Sequence, residues 1–406
     1  MKRKSLSLLS IFLVLILWLK CEENYSFMKQ DTSSIDHSLS IFLCGDVMTG
    51  RGIDQILPYS VKPKLYEPYV KDARDYLYLA ELKNGRFKYP VSFSNIWGDA
   101  LEVWKKMSPS IKIVNLETSL TVQDSPWPGK GINYWMHPKN AKVLTSAGID
   151  FCSLANNHIL DWERPGLIET LETLKESGIF VVGAGKNAKE AATPGIIPVN
   201  GGRLVLLAFG ARSSGIPKSW AAQENLSGIN ILPEEIEASI DLIKNQVAEV
   251  KQKNDIVVFS MHWGGNWGYK IPSDHRKLAH EIIDKAGVDI VHGHSSHHPL
   301  GMEVYKNKLI IYGAGDFIND YEGITGDHDK YRGELSLMYF PTINQENGEL
   351  ISLKMIPMKI KNFRLNHASK PDAAWLEEIL DRKGSKLGTQ VELNDDNSMD
   401  LKWFKK

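Results

Sequence analysis

From Leu39 onward the chain alternates short apolar runs with amphipathic stretches. LSIFLCGD (39–46), IKIVNLE (111–117), GIDFCSLANNH (148–158), RLVLLAFG (203–210), DIVVFSMHWGG (255–265) and GVDIVHGHSSHH (287–298) are brief runs rich in Val, Ile, Leu and Phe, so each predicts a strand. Between them, Leu167, Ile168, Leu171 and Leu174 recur near a 3.6-residue period, which predicts a helix. PEEIEASIDLIKNQVAEVKQKN (233–254) and SDHRKLAHEIIDKAGV (273–288) read the same way, the second with a Ser/Asp cap at its start. Alternating strands and helices predict an α/β fold, in which functional groups gather beyond the carboxyl ends of the strands.

Five of these runs end in residues able to hold a metal ion. They present Asp46; Asn115 and Glu117; Asn156, Asn157 and His158; His262; and a histidine cluster formed by His292, His294, His297 and His298. Singly, each motif also reads as a turn, a capped helix start or a packed histidine. Five strand ends carrying the same chemistry point instead to one shared site. A divalent ion takes roughly four to six ligands, and a mixed set of imidazole, amide and carboxylate suits Zn, Mn or Fe. Residues 58–97 and 123–135 break the alternation and are aromatic and loop-like. They read as insertions bordering a cleft, with Trp127, Tyr134 and Trp135 as candidates to line it.

Length and charge narrow the partners. The chain has 406 residues, 43% of them hydrophobic and 24% charged, enough for one large core or two modest ones. Its net charge is -1 and no long Lys/Arg run occurs in the body, which argues against a nucleic-acid partner. At the N-terminus, Lys2, Arg3 and Lys4 precede an apolar stretch from Leu6 to Leu19, shorter than the ~20 residues that span a bilayer. Residues 1–21 are therefore predicted to be a signal peptide or N-terminal anchor, lipidated at Cys21 or not, that places the body outside the cytoplasm in the cell envelope. A polar linker over 22–38, a folded domain over 39–362 and a C-terminal helix with a polar tail over 363–406 complete the expected organisation. Cys44 and Cys152, within strand-like surroundings, are expected to be buried thiols.

In order and spacing, GDVMTGR, NLET, ANNHILDW, HWG and GHSSHHPLGMEVYKNKLIIYGAGDFIND resemble the CapA-type poly-γ-glutamate capsule biosynthesis proteins, a branch of the calcineurin-like metallophosphatase superfamily. The resemblance runs from about Leu39 to Asp320. It implies a four-layer αββα sandwich, two mixed β-sheets flanked by helices, holding one or two divalent ions (Mn, Zn or Fe) at the strand ends. Carried over position by position, it makes Asp46, Glu117, Asn157, His262, His294 and His297 the metal ligands. His158 becomes the acid for the leaving group, with Asp161 orienting its ring. This chain departs from the superfamily at Met48, where a histidine is expected, at Glu117, where an aspartate is expected, and at the serine pair between His294 and His297. His292 and His298 then serve as support. Arg51 is a candidate to neutralise a phosphate or carboxylate, with an ordinary salt bridge as the alternative.

The implied function is an exported metal-dependent hydrolase, cleaving phosphoester or γ-glutamyl amide bonds, in the biosynthesis or release of an anionic cell-surface polymer. Its expected partners are that polymer or its precursor and membrane-bound synthase or export proteins. A non-catalytic component of a polymer synthesis complex and a general metallophosphodiesterase stand as alternatives.

Overall fold

The computed structural model describes residues 37–404; the expected signal or anchor, Cys21 and nearly all of the linker lie outside them. Along the chain the principal strands are β1 (Ser38–Val47), β2 (Ile111–Leu116), β3 (Phe151–Ser153), β4 (Phe180–Val182), β5 (Gly202–Gly210), β6 (Asp255–His262), β7 (Ile290–His294), β8 (Lys308–Ile311), β9 (Asp316–Ile318), β10 (Leu335–Asn344), β11 (Leu350–Ile360), β12 (Thr389–Leu393) and β13 (Met399–Trp403). The longer helices are α1 (Glu163–Glu176), α2 (Ile236–Val250), α3 (Ser273–Ala286) and α4 (Lys370–Gly384). A ten-stranded sheet runs in the order β12-β13-β11-β10-β1-β2-β3-β4, with β9 beside β1 and the short strand Leu365–His367 beside β11. A six-stranded sheet has β8-β7-β6-β5 as its centre.

Side-chain alternation explains the layering. On β1, Leu39, Ile41 and Leu43 enter a core shared with Leu204 and Leu206 of β5, Ile256 and Val258 of β6, and Leu337 and Tyr339 of β10. That core is the space between the two sheets. The opposite face of the first sheet, with Phe42, Cys44, Val114 and Cys152, packs on Trp97, Trp104 and, from α1, Leu167 and Leu174. The far face of the second sheet, with Val205, Leu207, Val257 and Phe259, packs on Ile243 and Val247 of α2 and Ile282 of α3. The result is the four-layer αββα sandwich, with central strands buried on both faces and so written as nearly unbroken apolar runs. Each large aliphatic side chain buried in this way contributes about 1.5–3 kcal/mol. Cys44 and Cys152 are buried free thiols.

The C-terminal residues differ from the expected polar tail. Helix α4 forms where expected, but 389–403 fold into the β12–β13 ladder, which pairs with β11 and extends the first sheet. Val391, Met399 and Leu401 join Ala373, Leu376 and Leu380 of α4 in the inter-sheet core. The segment reads as polar because only alternate residues face inward, and on an edge strand the others face water. Helix α3 also starts differently, with Pro272 at its N-cap and no side-chain cap. Among the described residues, no helix is long and apolar enough to cross a membrane.

Parallel pairing brings the strand ends into rows. Asp46 lies opposite Asn115 on one side and Asp316 on the other. In the second sheet His262 lies between Gly210 and His294. Two glycines permit this closeness: a Cβ on Gly45 would sit 1.7 Å from the Gly315 carbonyl oxygen, and one on Gly293 would sit 2.4 Å from that of Tyr312. Backbone cannot retreat as a flexible side chain would. Gly45→Ala is therefore expected to cost at least the upper end of the ~1–3 kcal/mol typical of overpacking. Gly265→Ala, at a position with open space around its Cβ, should stay within about 0.5 kcal/mol of the parent. Urea unfolding of the two variants checks this.

Candidate metal centre

Asp46 sits at the middle of the first row, buried to 1% exposure. Its Oδ1 accepts a hydrogen bond from Asn115 Nδ2 at 2.7 Å, and its Oδ2 accepts one from the Ser295 amide at 3.1 Å. Asn156 in turn donates to Asn115 Oδ1 and the Leu116 carbonyl. Asn115 and Asn156 thus brace the aspartate. Two sets of potential ligand atoms converge on it, each within a 4.8 Å span: Asp46 with His262 and His294, and Asp46 with His297 and Asp316.

His294 and His297 of "GHSSHH" join different ligand sets around Asp46 because of the serines between them. Ser295 has φ +91° and His297 φ +58°, so the chain turns sharply through left-handed backbone. Such conformations cost on the order of 1–3 kcal/mol each for non-glycine residues. The Ser295 amide on Asp46 and the Ser296 hydroxyl, which donates to the His298 carbonyl at 2.8 Å, hold the turn. His294 then meets His262, Nδ1 to Nδ1 at 2.8 Å, while His297 Nδ1 meets Asp316 Oδ1 at 2.8 Å. The remaining nitrogens of the first pair face Ser260 Oγ at 2.9 Å and Asn157 Oδ1 at 3.0 Å.

Glu117 completes the cluster. It is 1% exposed, and neither carboxylate oxygen has a hydrogen-bond partner. An unpaired buried carboxylate is costly unless it is protonated or meets a cation. Burial and the nearby Asp46 and Asp316 carboxylates push its pKa well above the ordinary value. Burial and Asp316 likewise raise that of Asp46 to about 7. Burial lowers those of His262 and His294, leaving them in the neutral form that ligates metals. At His297 burial works against the charged ring, but Asp316 outweighs it and the pKa rises to about 9. The donor set fits a divalent cation, which would satisfy Glu117 and let adjacent carboxylates ionise together.

Above the centre lies a cleft of about 570 Å³, with Asn157, His158 and His297 at its floor and Tyr134, Trp267 and Tyr321 among its walls. His158 Nδ1 lies 2.7 Å from Asp161 Oδ2, and its ring stacks on Tyr134 with centroids 3.9 Å apart. Its Nε2 points inward, 3.8 Å from Glu117 Oε1. Burial lowers its pKa to about 4.

Several expected residues have other surroundings. Arg51 is 3% exposed, and its guanidinium donates to Glu67 and Tyr76 at 2.8 and 3.0 Å and to both oxygens of Asp320. It lines the cleft, and its guanidinium is paired there with two internal carboxylates. Trp135 stacks on Trp162 at 3.7 Å and Trp127 packs on Trp220, so of the three aromatic candidates Tyr134 alone lines the cleft. Buried His292 lies 2.7 Å from the Cys44 carbonyl, and His298 stacks on Tyr331 and accepts from the Gly268 amide. Asp316 escaped the sequence reading, although LIIYGAGD repeats the apolar-run-then-Gly-Asp pattern of Asp46. Lys130 also escaped it, since a lone lysine in an irregular loop carries no signal.

Fold and site together define an αββα protein with a cluster of metal-type donors at the carboxyl ends of its central strands. The chain belongs to the bacterial capsule synthesis protein family PGA_cap, whose family model matches residues 40–321. A probable polyglutamine synthesis accessory protein of Mycobacterium tuberculosis is 41% identical over 365 residues, 89% of this chain and 96% of the relative. The capsule biosynthesis protein CapA of Bacillus anthracis is 26% identical over 88% of this chain and 75% of its own. The PGA biosynthesis protein CapA of Bacillus subtilis is 28% identical over 72% and 66%.

The unpaired Glu117 makes a signed prediction. In chelator, Glu117→Gln is expected to be more stable than the parent by about 1–3 kcal/mol, because it removes a buried carboxylate without a partner. A carboxylate whose folded pKa is raised makes the parent lose stability as pH rises from the ordinary carboxylate range towards that raised value, so the variant's advantage should grow with pH. With saturating Zn the order should reverse. Denaturant unfolding at pH 5 to 8, with chelator and with Zn, reads both effects, and a variant less stable than its parent in chelator would contradict the account.

Proposed function

We propose that the protein is an exported metal-dependent hydrolase acting in the synthesis or release of an anionic capsule polymer of the poly-γ-glutamate type. The observation that supports this most directly is the buried, unpaired Glu117 beside two ligand sets that share Asp46, under an open cleft. The capsule-related names of the relatives support the polymer as substrate or product and the cell envelope as location.

In this reading Asp46, Glu117, Asn157, His262, His294, His297 and Asp316 hold one or two divalent cations, with two favoured because Asp46 belongs to both sets. A bound divalent cation supplies Lewis-acid polarisation of the scissile bond and a water acidic enough to deprotonate near neutral pH. The protein's own groups do the rest. Three carboxylates at the centre give a strongly anionic floor that an anionic substrate meets only once cations offset it. His158 faces the cleft through Nε2 and donates to the leaving oxygen or nitrogen. Tyr134, stacked on that imidazole, fixes its plane. Arg51 contributes indirectly: its guanidinium lies 4.8 Å from the Tyr134 ring centre, and Tyr134 meets Tyr321 hydroxyl to hydroxyl at 3.0 Å. These contacts keep one wall of the cleft rigid.

Elemental analysis of the purified protein, followed by phosphodiesterase and γ-glutamyl peptide assays with Mn, Zn or Fe, tests the proposal. Bound metal and turnover in one assay are expected, both lost in a His262→Ala/His294→Ala double variant. Protein that binds no metal and turns over neither substrate overturns it. His158→Gln should keep its metal while kcat falls about 10²–10³-fold, the usual loss when a donor to developing charge is removed.

A further inference from the structure

We propose that the cleft takes an amphiphile: a single anionic head at the centre, carried on an apolar alkyl or aryl body. The substrate is then a precursor of the polymer rather than the finished polyanion. The proposal deepens the hydrolytic reading and rests on it for the head, while the walls of the cleft carry it for the body.

Charge decides first. A finished γ-glutamyl chain brings a carboxylate on every repeat, and each one that enters the cleft gives up water. Burying an ionised carboxylate without a partner is costly, so the walls would have to supply free cations. Five basic side chains line the cleft, and each already faces an acidic group of the protein. Arg51 meets Glu67 and Asp320. Lys130, in the 123–135 insertion, lies 2.6 Å from Asp161 Oδ1, and His158 lies on the other oxygen of that carboxylate. His297 faces Asp316, and His328 Nε2 lies 3.7 Å from Asp329 Oδ1. An adjoining hollow of about 310 Å³ shares Trp267, Tyr321, Ile324 and His328 with the cleft, but it sets Glu322, Asp329 and Glu334 against Lys83 and Arg332. Arg332 is itself paired with Glu334 and Asp372. Neither space gives a polyanion a track of free positive charge.

The rest of the lining suits a different body. Pro68, Ile132, Tyr134, Trp267, Tyr321 and Ile324 turn rings and alkyl groups to the same space, and the Tyr134 and Tyr321 hydroxyls meet each other at 3.0 Å. Ile132 remains 44% exposed, and Tyr69, next to Pro68 in sequence, is 97% exposed. Single apolar residues at a surface are ordinary. These, however, belong to the two insertions, which meet where a Cβ on Gly131 would lie 3.9 Å from Pro68. Lys130 donates to the Ile132 carbonyl at 2.9 Å and holds the turn that carries Ile132. An alkyl or aryl group entering between these walls takes its own apolar surface and theirs out of water, while its head reaches the floor that bound cations neutralise. A cleft of about 570 Å³ has the size of a small-molecule site.

Calorimetric titration of the full-length, Zn-loaded protein with n-alkylphosphonates from ethyl to octyl, which carry the head but no scissile bond, tests this. Kd is expected to fall about 3- to 4-fold with each added methylene until the cleft is filled, the effect of burying one methylene. The gradient belongs to the walls and should persist in chelator, where the head binds more weakly. γ-Glutamyl oligomers should gain no affinity with length. Ile132→Asp and Ile324→Asp should each reduce the preference for octyl over ethyl about fivefold or more. Ile132 is exposed, so its variant keeps the test valid if Ile324→Asp fails to fold. Alkyl affinity that does not rise with length, or γ-glutamyl affinity that rises with each unit, overturns the proposal. Given the gradient, phosphatidic acid vesicles that displace octylphosphonate identify a membrane-held amphiphile, and vesicles that leave it bound identify a soluble one. A length gradient without turnover in the phosphodiesterase and γ-glutamyl assays would sink the hydrolytic reading and leave the amphiphile standing; turnover without the gradient does the reverse.

Discussion

Three carboxylates buried within reach of one another are the constraint around which this protein is built. Asp46, Asp316 and Glu117 are each almost wholly removed from water, and like charges so placed repel one another and oppose folding. Every feature nearby answers that problem. Asn115 and the Ser295 amide donate to Asp46, Asn319 donates to Asp316 at 2.7 Å, and His297 faces Asp316. Glu117 alone is left without a donor, and a cation is the partner whose chemistry completes the set.

The fold supplies the means of crowding charge there. Parallel strands with apolar side chains on both faces form a rigid platform, and their carboxyl ends lie side by side by virtue of hydrogen-bond register. Gly45 and Gly293, each immediately before a site residue, let neighbouring backbone approach where any side chain would collide. The strained turn at Ser295 and His297 sends the imidazoles of His294 and His297 to different ligand sets around the same aspartate. Packing elsewhere in the sandwich provides the stability that such local strain draws on.

Around this centre, charge is either paired internally or aimed at the reaction side. Arg51 sits between Glu67 and Asp320 and stiffens a wall of aromatic residues. Lys130 joins Asp161 to His158. The family membership places the chain among capsule synthesis proteins, while the activity proposed for it rests on these particular side chains, since one fold hosts many chemistries.

Much of this was legible in the chain itself. Apolar runs of strand length, amphipathic helices and the repeated polar residue at the strand ends disclose an α/β fold with its polar strand ends gathered at one site, while the sandwich and the choice of Asp46, Glu117, Asn157, His262, His294 and His297 came from the resemblance to the CapA-type family. These signals are local, because periodicity and strand ends are properties of consecutive residues. Asp316 was visible in the same way but lies on a three-residue strand, too short to stand out. The inward alternation of Val391, Met399 and Leu401, spread over an edge hairpin, was masked by its polar outer face. Only the tertiary structure showed that Arg51 is neutralised from within, that Trp135 belongs to the packing, and that Lys130 touches His158. Those are contacts between residues distant in sequence, set by how layers and loops close on one another, and no local pattern encodes which partner a charge will meet.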